Sequence, residues 1–319
     1  MNIDMIRASA ARGAGHVRRT PLLSSPFLDE IAGRRVLVKA ECLQHTGSFK
    51  FRGGWSAVSA LSYDVRARGV IAYSSGNHAQ AVAHAAALHG TSAVIIMPSD
   101  APAIKIENTR ALGAEVLLYD RDGESREEIG KAIAEERQLT LIPPFDAAEV
   151  IAGQGTCGLE IAEQAREAGV DGAEIFVCCG GGGFTSGIAL ATEGAHRVRP
   201  VEPDGYDDVA RSLVSGQIER NARSAGGLCD AIITPSPGKM TFPILQRLVG
   251  PGIVVSDEEA LRAMALAFFR LKLVVEPGGA VALAAALFHP NETEGDAVIC
   301  TISGGNVDRA VFERALERL

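Results

Sequence analysis

Lys50 stands in the run H-T-G-S-F-K-F-R-G-G, between Phe49 and Phe51 and two residues before Arg52. A lysine beside aromatic residues is commonly an amphipathic surface residue whose stem covers apolar neighbours. An amine held in a partly apolar site near another cation instead binds its proton less tightly. The free amine can then form a carbon-nitrogen double bond with a carbonyl. Gly180, Gly181, Gly182 and Gly183 follow the apolar run E-I-F-V-C-C and precede a helical pattern that begins near Phe184. Glycines let the backbone approach closely and aim successive N-H groups at one point, and the following helix adds about half a positive charge there. A phosphate suits such a loop. No G-K-[ST] is present, which excludes a nucleoside-triphosphate loop, and Thr185 and Ser186 break the G-x-G-x-x-G spacing. Glu202, nineteen residues beyond Gly183, stands where a dinucleotide-binding fold places its ribose acid. Taken alone, the four glycines read as a cradle for one phosphate, as the site of a nicotinamide-dependent dehydrogenase, or as a structural turn. A phosphate cradle together with a lysine that can condense with a carbonyl is what pyridoxal phosphate requires.

These residues must be held by the elements around them. From Arg35 onward, apolar β-rich runs are separated by helical patterns: V-L-V-K-A-E, V-I-A-Y-S, A-V-I-I-M-P, A-E-V-L-L-Y-D, L-T-L-I-P-P, E-I-F-V-C-C, H-R-V-R-P-V-E-P, L-K-L-V-V-E-P and D-A-V-I-C-T-I-S. The rhythm predicts an α/β fold of two open, twisted, mainly parallel sheets with helices on both faces. Residues 69–142 hold four consecutive βα steps. They predict a small domain inserted into a large one made of residues 1–68 and 143–319. Ligands of such sheets sit where strands end and loops begin, which is where H-T-G-S-F-K-F-R-G-G, S-S-G-N-H-A-Q, C-G-G-G-G-F-T-S-G and I-S-G-G-N fall.

Composition bounds the rest. The 319 residues are 47% hydrophobic and 22% charged, a folded globular chain with room for two cores. Lys and Arg number 31 against 39 Asp and Glu, a net charge of -8 with no basic cluster, so no nucleic-acid partner is expected. No segment approaches the roughly 18 uninterrupted apolar residues of a membrane span, and the N-terminal stretch lacks a signal-peptide core, so no membrane association and a cytoplasmic location are expected. The six cysteines form no C-x-x-C pair and read as reduced core thiols, and the seven histidines lack zinc spacing.

The order T-G-S-F-K-F-R-G-G, S-S-G-N-H-A-Q-A-V-A, V-I-A-G-Q-G-T, G-G-G-G-F-T-S-G-I-A and I-S-G-G-N-V-D resembles the fold type II pyridoxal-phosphate enzymes. Within them it resembles the group of serine/threonine dehydratases, serine racemase and threo-3-hydroxyaspartate dehydratase, over nearly the whole chain. The resemblance implies pyridoxal 5'-phosphate held covalently by Lys50, with Phe49 packed on its ring and Asn77 bonding the ring hydroxyl. It gives Gly180, Gly181, Gly182 and Gly183 to the phosphate, and Ser303 to the pyridine nitrogen. Glu276, in V-V-E-P-G-G, matches a glutamate near the ring that either tunes ring protonation or bonds a loop. Plainer readings are core packing for Phe49, a helix cap for Asn77 and a turn hydroxyl for Ser303. A neutral hydroxyl at position 303 does not keep the pyridine nitrogen protonated as a carboxylate would, which favours substrates carrying a leaving group on Cβ.

The implied reaction is loss of water from a 3-hydroxy amino acid to give a 2-oxo acid and ammonia, with Lys50 removing the Cα proton. Ser75 matches a serine on the ring face opposite the lysine in serine racemase, able to return a proton from the other side. Alternatively Ser74, Ser75 and Gly76, followed by His78, form a carboxylate-binding loop. Arg126, in G-E-S-R-E-E, matches an arginine that approaches the active site from the small domain. Its fork suits a second carboxylate, although the same segment also reads as an exposed helix with surface ion pairs. His45 is another candidate for the distal end of the substrate. V-E-P-D-G-Y-D-D resembles a divalent-cation loop, with Glu202, Asp208 and the carbonyl of Tyr206 as ligands for Mg2+, Ca2+ or Mn2+. Its plainer reading is a solvated acidic loop capping a helix. G-L-C-D-A-I-I-T-P-S-P-G-K-M-T-F-P-I departs from the serine racemase pattern towards the hydroxyaspartate dehydratases, so Asp230, Thr234 and Ser236 are expected at the pocket rim. The leading expectation is 3-hydroxyaspartate to oxaloacetate, then serine or threonine dehydration, then racemisation. The short sequence after I-S-G-G-N-V-D leaves no regulatory extension, which suggests a catabolic role, and the resemblance implies a homodimer.

Overall fold

In the computed structural model, which describes residues 1–319 apart from Ser75, Pro102, Arg121 and Ser224, ten strands form among the described residues. They are β1 (Leu22–Ser24), β2 (Arg35–Ala40), β3 (Val70–Tyr73), β4 (Ala93–Pro98), β5 (Glu115–Tyr119), β6 (Thr140–Leu141), β7 (Glu174–Cys178), β8 (Val198–Pro203), β9 (Ile253–Val255) and β10 (Ala297–Ile302). One sheet has the order β1-β2-β10-β7-β8-β9 and the other β5-β4-β3-β6. β1 runs antiparallel to β2, and every other pairing is parallel. Helices cover both faces, so the inner strands are buried without alternation; every residue of β4, β7 and β8 is buried, the charged Glu174, Arg199 and Glu202 among them.

The main core gathers around the helix Pro277–Phe288, whose sequence P-G-G-A-V-A-L-A-A-A-L-F is buried from Pro277 to Leu287. A helix apolar on all sides can exist only inside the protein. The helix Ala148–Glu167 lies between the helices Lys50–Ser59 and Gly183–Ala191 and touches both through glycine. A Cβ on Gly153 would stand 2.3 Å from the Arg52 carbonyl oxygen, and one on Gly187 would stand 2.6 Å from the Gly155 nitrogen. Backbone contact therefore sets the distance between the helix that starts at Lys50 and the one that follows the four glycines.

The expected strand L-K-L-V-V-E-P is absent. Residues Ala267–Leu271 make a π-helical turn, Lys272 has a φ of 61°, and residues 272–276 join no sheet. Their burial does alternate, with Leu273 and Val275 inside and Val274 46% exposed. The backbone of Glu276 bonds the loop after β10 instead, at the Gly304 carbonyl oxygen. Residues 69–142 contain four strands but three helices, because the fourth helix starts at Ala148. β1 and β9, each of three residues at a sheet edge, are too short to show a period in the sequence.

Candidate active site

Three loops leave the carboxyl ends of the neighbouring strands β2, β10 and β7 and meet. The loop after β2 leads to Lys50, the first residue of its helix. It is stitched to the loop after β10 by the Phe49 N-H donating to the Ser303 carbonyl at 3.0 Å and the Gly305 N-H donating to the Gly47 carbonyl at 2.9 Å. The loop after β7 carries the four glycines. Lys50 Nζ donates to the Pro144 carbonyl at 2.8 Å and lies 5.1 Å from the centre of the Phe49 ring. Burial pushes its pKa down to about 8, with Glu276 pulling weakly the other way. A neutral amine is thus within reach near physiological pH.

The glycine loop fits a phosphate. A Cβ on Gly181 would lie 2.3 Å from the Phe145 ring, one on Gly180 would lie 2.7 Å from the Ile232 carbonyl oxygen, and Gly182 has a φ of 88°. Side chains are excluded from this wall, and its N-H groups lead into the helix Gly183–Ala191. Thr185 Oγ1 in the first turn is buried without a hydrogen-bond partner. An unmet group of that kind costs about 1–3 kcal/mol, a cost that an anion in the cradle would remove. Phe49 stacks on Phe184 with centroids 4.1 Å apart and lines the cradle, so it is both core and wall.

Lys50 also borders a second, larger cavity of about 420 Å3 between the two sheets. On its floor Asn77 Nδ2 donates to Glu276 Oε1 at 2.7 Å, and Asn306 Nδ2 donates to Asn77 Oδ1 at 2.7 Å. Burial pushes Glu276 up to about 8, against the Asn77 hydrogen bond. Gly304 leaves it room, since a Cβ there would fall 1.9 Å from Glu276 Oε1. Asn77 is the first residue of the helix Asn77–Leu88, but its amide is spent on these two side chains and caps nothing. Ser303 is buried just after β10 and lines neither cavity.

Ser74, Gly76, His78 and Arg126 all line the larger cavity. Ser74 Oγ accepts the Gly76 N-H at 3.2 Å, and Ser75 lies outside the described residues. His78 bonds the Ile142 carbonyl through Nε2 at 2.9 Å. A carbonyl only accepts, so Nε2 carries the proton and Nδ1 is bare and unpartnered. Burial, then Lys50, pushes His78 down to about 3, so it acts as a neutral acceptor. Arg126 lies over the Tyr73 ring at 5.4 Å and is paired with Glu127 at 2.9 Å. Asp230, Thr234 and Ser236 are at the rim, and Asp230 faces Lys105 at 3.7 Å across the cavity. His45 is elsewhere: it packs on Phe51 and His84, with ring centres 4.8 and 5.6 Å away, and does not line the cavity. The left-handed Thr46, φ 57°, turns the chain between His45 and Lys50.

Glu202, Tyr206 and Asp208 of the acidic loop are buried, while Asp204 and Gly205 are exposed. Glu202 accepts the N-H groups of Val209 and Ala210 at 3.0 and 2.7 Å and so caps the helix Asp208–Ser215. Asp208 takes a bond from Asn221, and its Oδ2 has no partner. Burial, then repulsion from Asp208, holds Glu202 well above the ordinary carboxylate range, and burial pushes Asp208 up to about 7. The Tyr206 hydroxyl donates to the Ala225 carbonyl at 2.8 Å. Among the described residues no three His, Cys, Asp or Glu side chains gather as a metal site. The helix cap of the plainer reading is present, but it is not solvated.

Sequence reasoning missed Lys105, Asn306 and the segment Pro144–Phe145–Asp146. Asn306 stood within I-S-G-G-N. Asp146, which accepts the N-H groups of Lys239, Met240 and Thr241, had no local signal.

A family model described as pyridoxal-phosphate dependent enzyme matches residues 14–305. The L-threo-3-hydroxyaspartate ammonia-lyase of Pseudomonas sp is 42% identical over 308 residues, 96% of this chain and 95% of that protein. The serine racemase of Oryza sativa subsp. indica is 39% identical, covering 99% of this chain and 94% of that one. A crystal structure of a threonine deaminase from T.th. matches with a TM-score of 0.90 at 44% identity, covering 97% of this chain and 99% of that chain.

Proposed function

The chain belongs to the family of pyridoxal-phosphate dependent enzymes, and from that premise we propose that it is an ammonia-lyase removing water from 3-hydroxyaspartate to give oxaloacetate and ammonia. The observation that carries this reading is Lys50 itself, which borders both the glycine cradle and the larger cavity. Gly180, Gly181, Gly182 and Gly183 would hold the phosphate, Phe49 would pack beside the ring, Asn77 and Glu276 would meet its polar edge, and Ser303, which lines neither cavity, would have to turn its neutral hydroxyl to the pyridine nitrogen. When bound, the coenzyme supplies a conjugated ring that withdraws electrons from the substrate's α-carbon.

The chain's own groups do the rest. Ser74, Ser75 and Gly76 bind the α-carboxylate, and His78 Nδ1 accepts a hydrogen bond from the substrate. Lys50 Nζ takes the proton from Cα and returns it to the β-hydroxyl, which leaves as water. The unsaturated amine released then tautomerises and hydrolyses to the 2-oxo acid and ammonia. Arg126 takes the distal carboxylate of a dicarboxylic substrate, and Lys105 adds a second positive charge on the same side. The test is 2-oxo acid release from L- and D-serine, threonine and each 3-hydroxyaspartate isomer. Arg126→Met is expected to raise KM for the dicarboxylate by about tenfold or more, the loss of a charged hydrogen bond, and to leave KM for serine unchanged. Turnover of serine or threonine alone would replace this reading with a serine/threonine dehydratase, and inversion without elimination would replace it with a racemase.

A divalent cation at Glu202, Asp208 and the Tyr206 carbonyl belongs to the same proposal. Two buried acids, one with a free oxygen, are relieved by a hard cation. Adding Mg2+ or Mn2+ to chelator-treated protein is expected to raise Tm through ligand linkage, and Asp208→Asn to erase the rise. An unchanged Tm after complete removal and re-addition would count against the site. The proposal includes a homodimer in the cytoplasm. Six free cysteines suit a reducing compartment, and among the described residues no helix is long and apolar enough to cross a membrane.

A further inference from the structure

Four acidic side chains line the larger cavity: Glu127, Asp146, Asp230 and Glu276. Three of them are engaged. Glu127 accepts from Arg126 at 2.9 Å, Asp146 accepts the N-H groups of Lys239, Met240 and Thr241, and Glu276 accepts from Asn77 at 2.7 Å. Asp230 takes no side-chain hydrogen bond among the described residues, and its ion pair there is with Lys105 Nζ at 3.7 Å. The reaction assigned above gives Asp230 no part.

The pair is made from opposite walls. Lys105 is on the helix Ala103–Ala111, which follows β4 of the four-stranded sheet, and Asp230 opens the short turn Asp230–Ile232 between β8 and β9 of the six-stranded one. The Lys105 side chain is 16% exposed and that of Asp230 68%. An ammonium carries three donors, and among the described residues no hydrogen bond uses those of Lys105. A largely buried cation needs an anion beside it. Asp230 supplies one from the solvent side, at a distance too long for a hydrogen bond. Pairs with an exposed member are weak, so a carboxylate that reaches Lys105 from within the cavity, at hydrogen-bond distance, displaces it. Both charges are felt at Glu276 on the cavity floor, where Asp230 acts to raise the pKa and Lys105 to lower it.

We propose that Asp230 is a specificity-determining residue that holds the place of the substrate's distal carboxylate on Lys105. A dicarboxylic amino acid enters by exchanging with Asp230, and a monocarboxylic one leaves the pair closed. The inference rests on the reading of a dicarboxylic substrate and adds to it the group that the second carboxylate must displace.

The test needs no turnover. Holoenzyme is titrated calorimetrically with succinate, a dicarboxylate, and with butyrate, its monocarboxylate counterpart; neither has an amine to react. Asp230→Asn removes the competing charge at nearly constant shape, and is expected to lower the dissociation constant of succinate about threefold or more relative to that of butyrate. Lys105→Met is expected to raise it about tenfold or more, and Lys105→Gln takes its place if the methionine variant does not fold. The double variant decides the mechanism. With Lys105 gone there is nothing to compete for, so adding Asp230→Asn should then change succinate affinity by less than about twofold. An Asp230→Asn variant that takes succinate no better than wild type would overturn the proposal. So would a gain of equal size in the double variant, because Asp230 would then only repel anions. If succinate behaves as expected but no 3-hydroxyaspartate isomer yields a 2-oxo acid, the substrate reading falls and the exchange at Lys105 stands.

Discussion

Lys50→Ala is expected to lower turnover by at least about 10^4-fold and to leave the chain unable to hold the coenzyme covalently. Nζ is the one amine that borders both the phosphate cradle and the substrate cavity among the described residues, so no neighbour can take over its bond or its proton. Borohydride reduction and peptide mapping would place the label on Lys50 in wild type and nowhere in the variant; a label on another side chain would defeat the assignment. The pH dependence has a definite sign. Only the neutral amine attacks a carbonyl, so the rate at which apoprotein captures the coenzyme should rise with pH and level off above about 8, where burial has set the Lys50 pKa. An ordinary lysine would still be rising there. In the same apoprotein the unfolded chain keeps its proton up to 10.5, so stability should climb with pH between these two values, where only the unfolded state is protonated.

The largest effect on stability is expected at Arg52. Its guanidinium is fully buried and bonds Glu41 at 2.7 and 2.8 Å and Glu160 at 2.7 and 2.9 Å, while Lys39 reaches Glu160 at 2.6 Å. The four charges balance inside the protein, and removing one partner leaves a buried acid uncompensated. Arg52→Met should therefore cost about 3–5 kcal/mol in urea unfolding near neutral pH. In wild type Glu41 is held below its ordinary 4.5, against burial, chiefly by Arg52. Its stabilisation is present above that value and is lost as pH falls through the lower folded one. In the variant burial prevails and raises the Glu41 pKa, so acidification lets the acid go neutral and the gap to wild type should narrow. Adding Glu41→Gln should recover part of the loss. A cost under about 1 kcal/mol, typical of exposed pairs, would show that the network carries little.

Much of this was legible in the residues because it depends on near neighbours along the chain. Runs such as A-V-I-I-M-P are strands since both faces are buried, and the four glycines before F-T-S-G announce an anion site whatever surrounds them. Where a pattern had two physical causes, reading it locally failed. L-K-L-V-V alternates in and out as a strand does, yet the N-H groups of Lys272 and Leu273 bond back to Phe268 and Ala267 in the helical turn before them. His45 lies close to Lys50 in sequence, yet a left-handed residue sends its ring to Phe51 and His84. Lys105 and Asp230 had no spacing to connect them, being on helical segments of different sheets.

The sequence by itself determined the chemistry available in each loop: an amine, a nest of N-H groups, a carboxyl, an amide and a neutral hydroxyl. The tertiary structure decided which of these meet. β10 inserts between β2 and β7, and that brings residues 50, 180 and 303 to the carboxyl end of one sheet. The contact of Asn77 with Glu276 spans 199 positions. The physical reason is range. Side-chain periodicity and backbone preference act over a few residues, whereas strand order is set by how the whole chain buries its apolar faces. The lowered pKa of Lys50 and the raised pKa of Glu276 follow from that burial and from no local pattern.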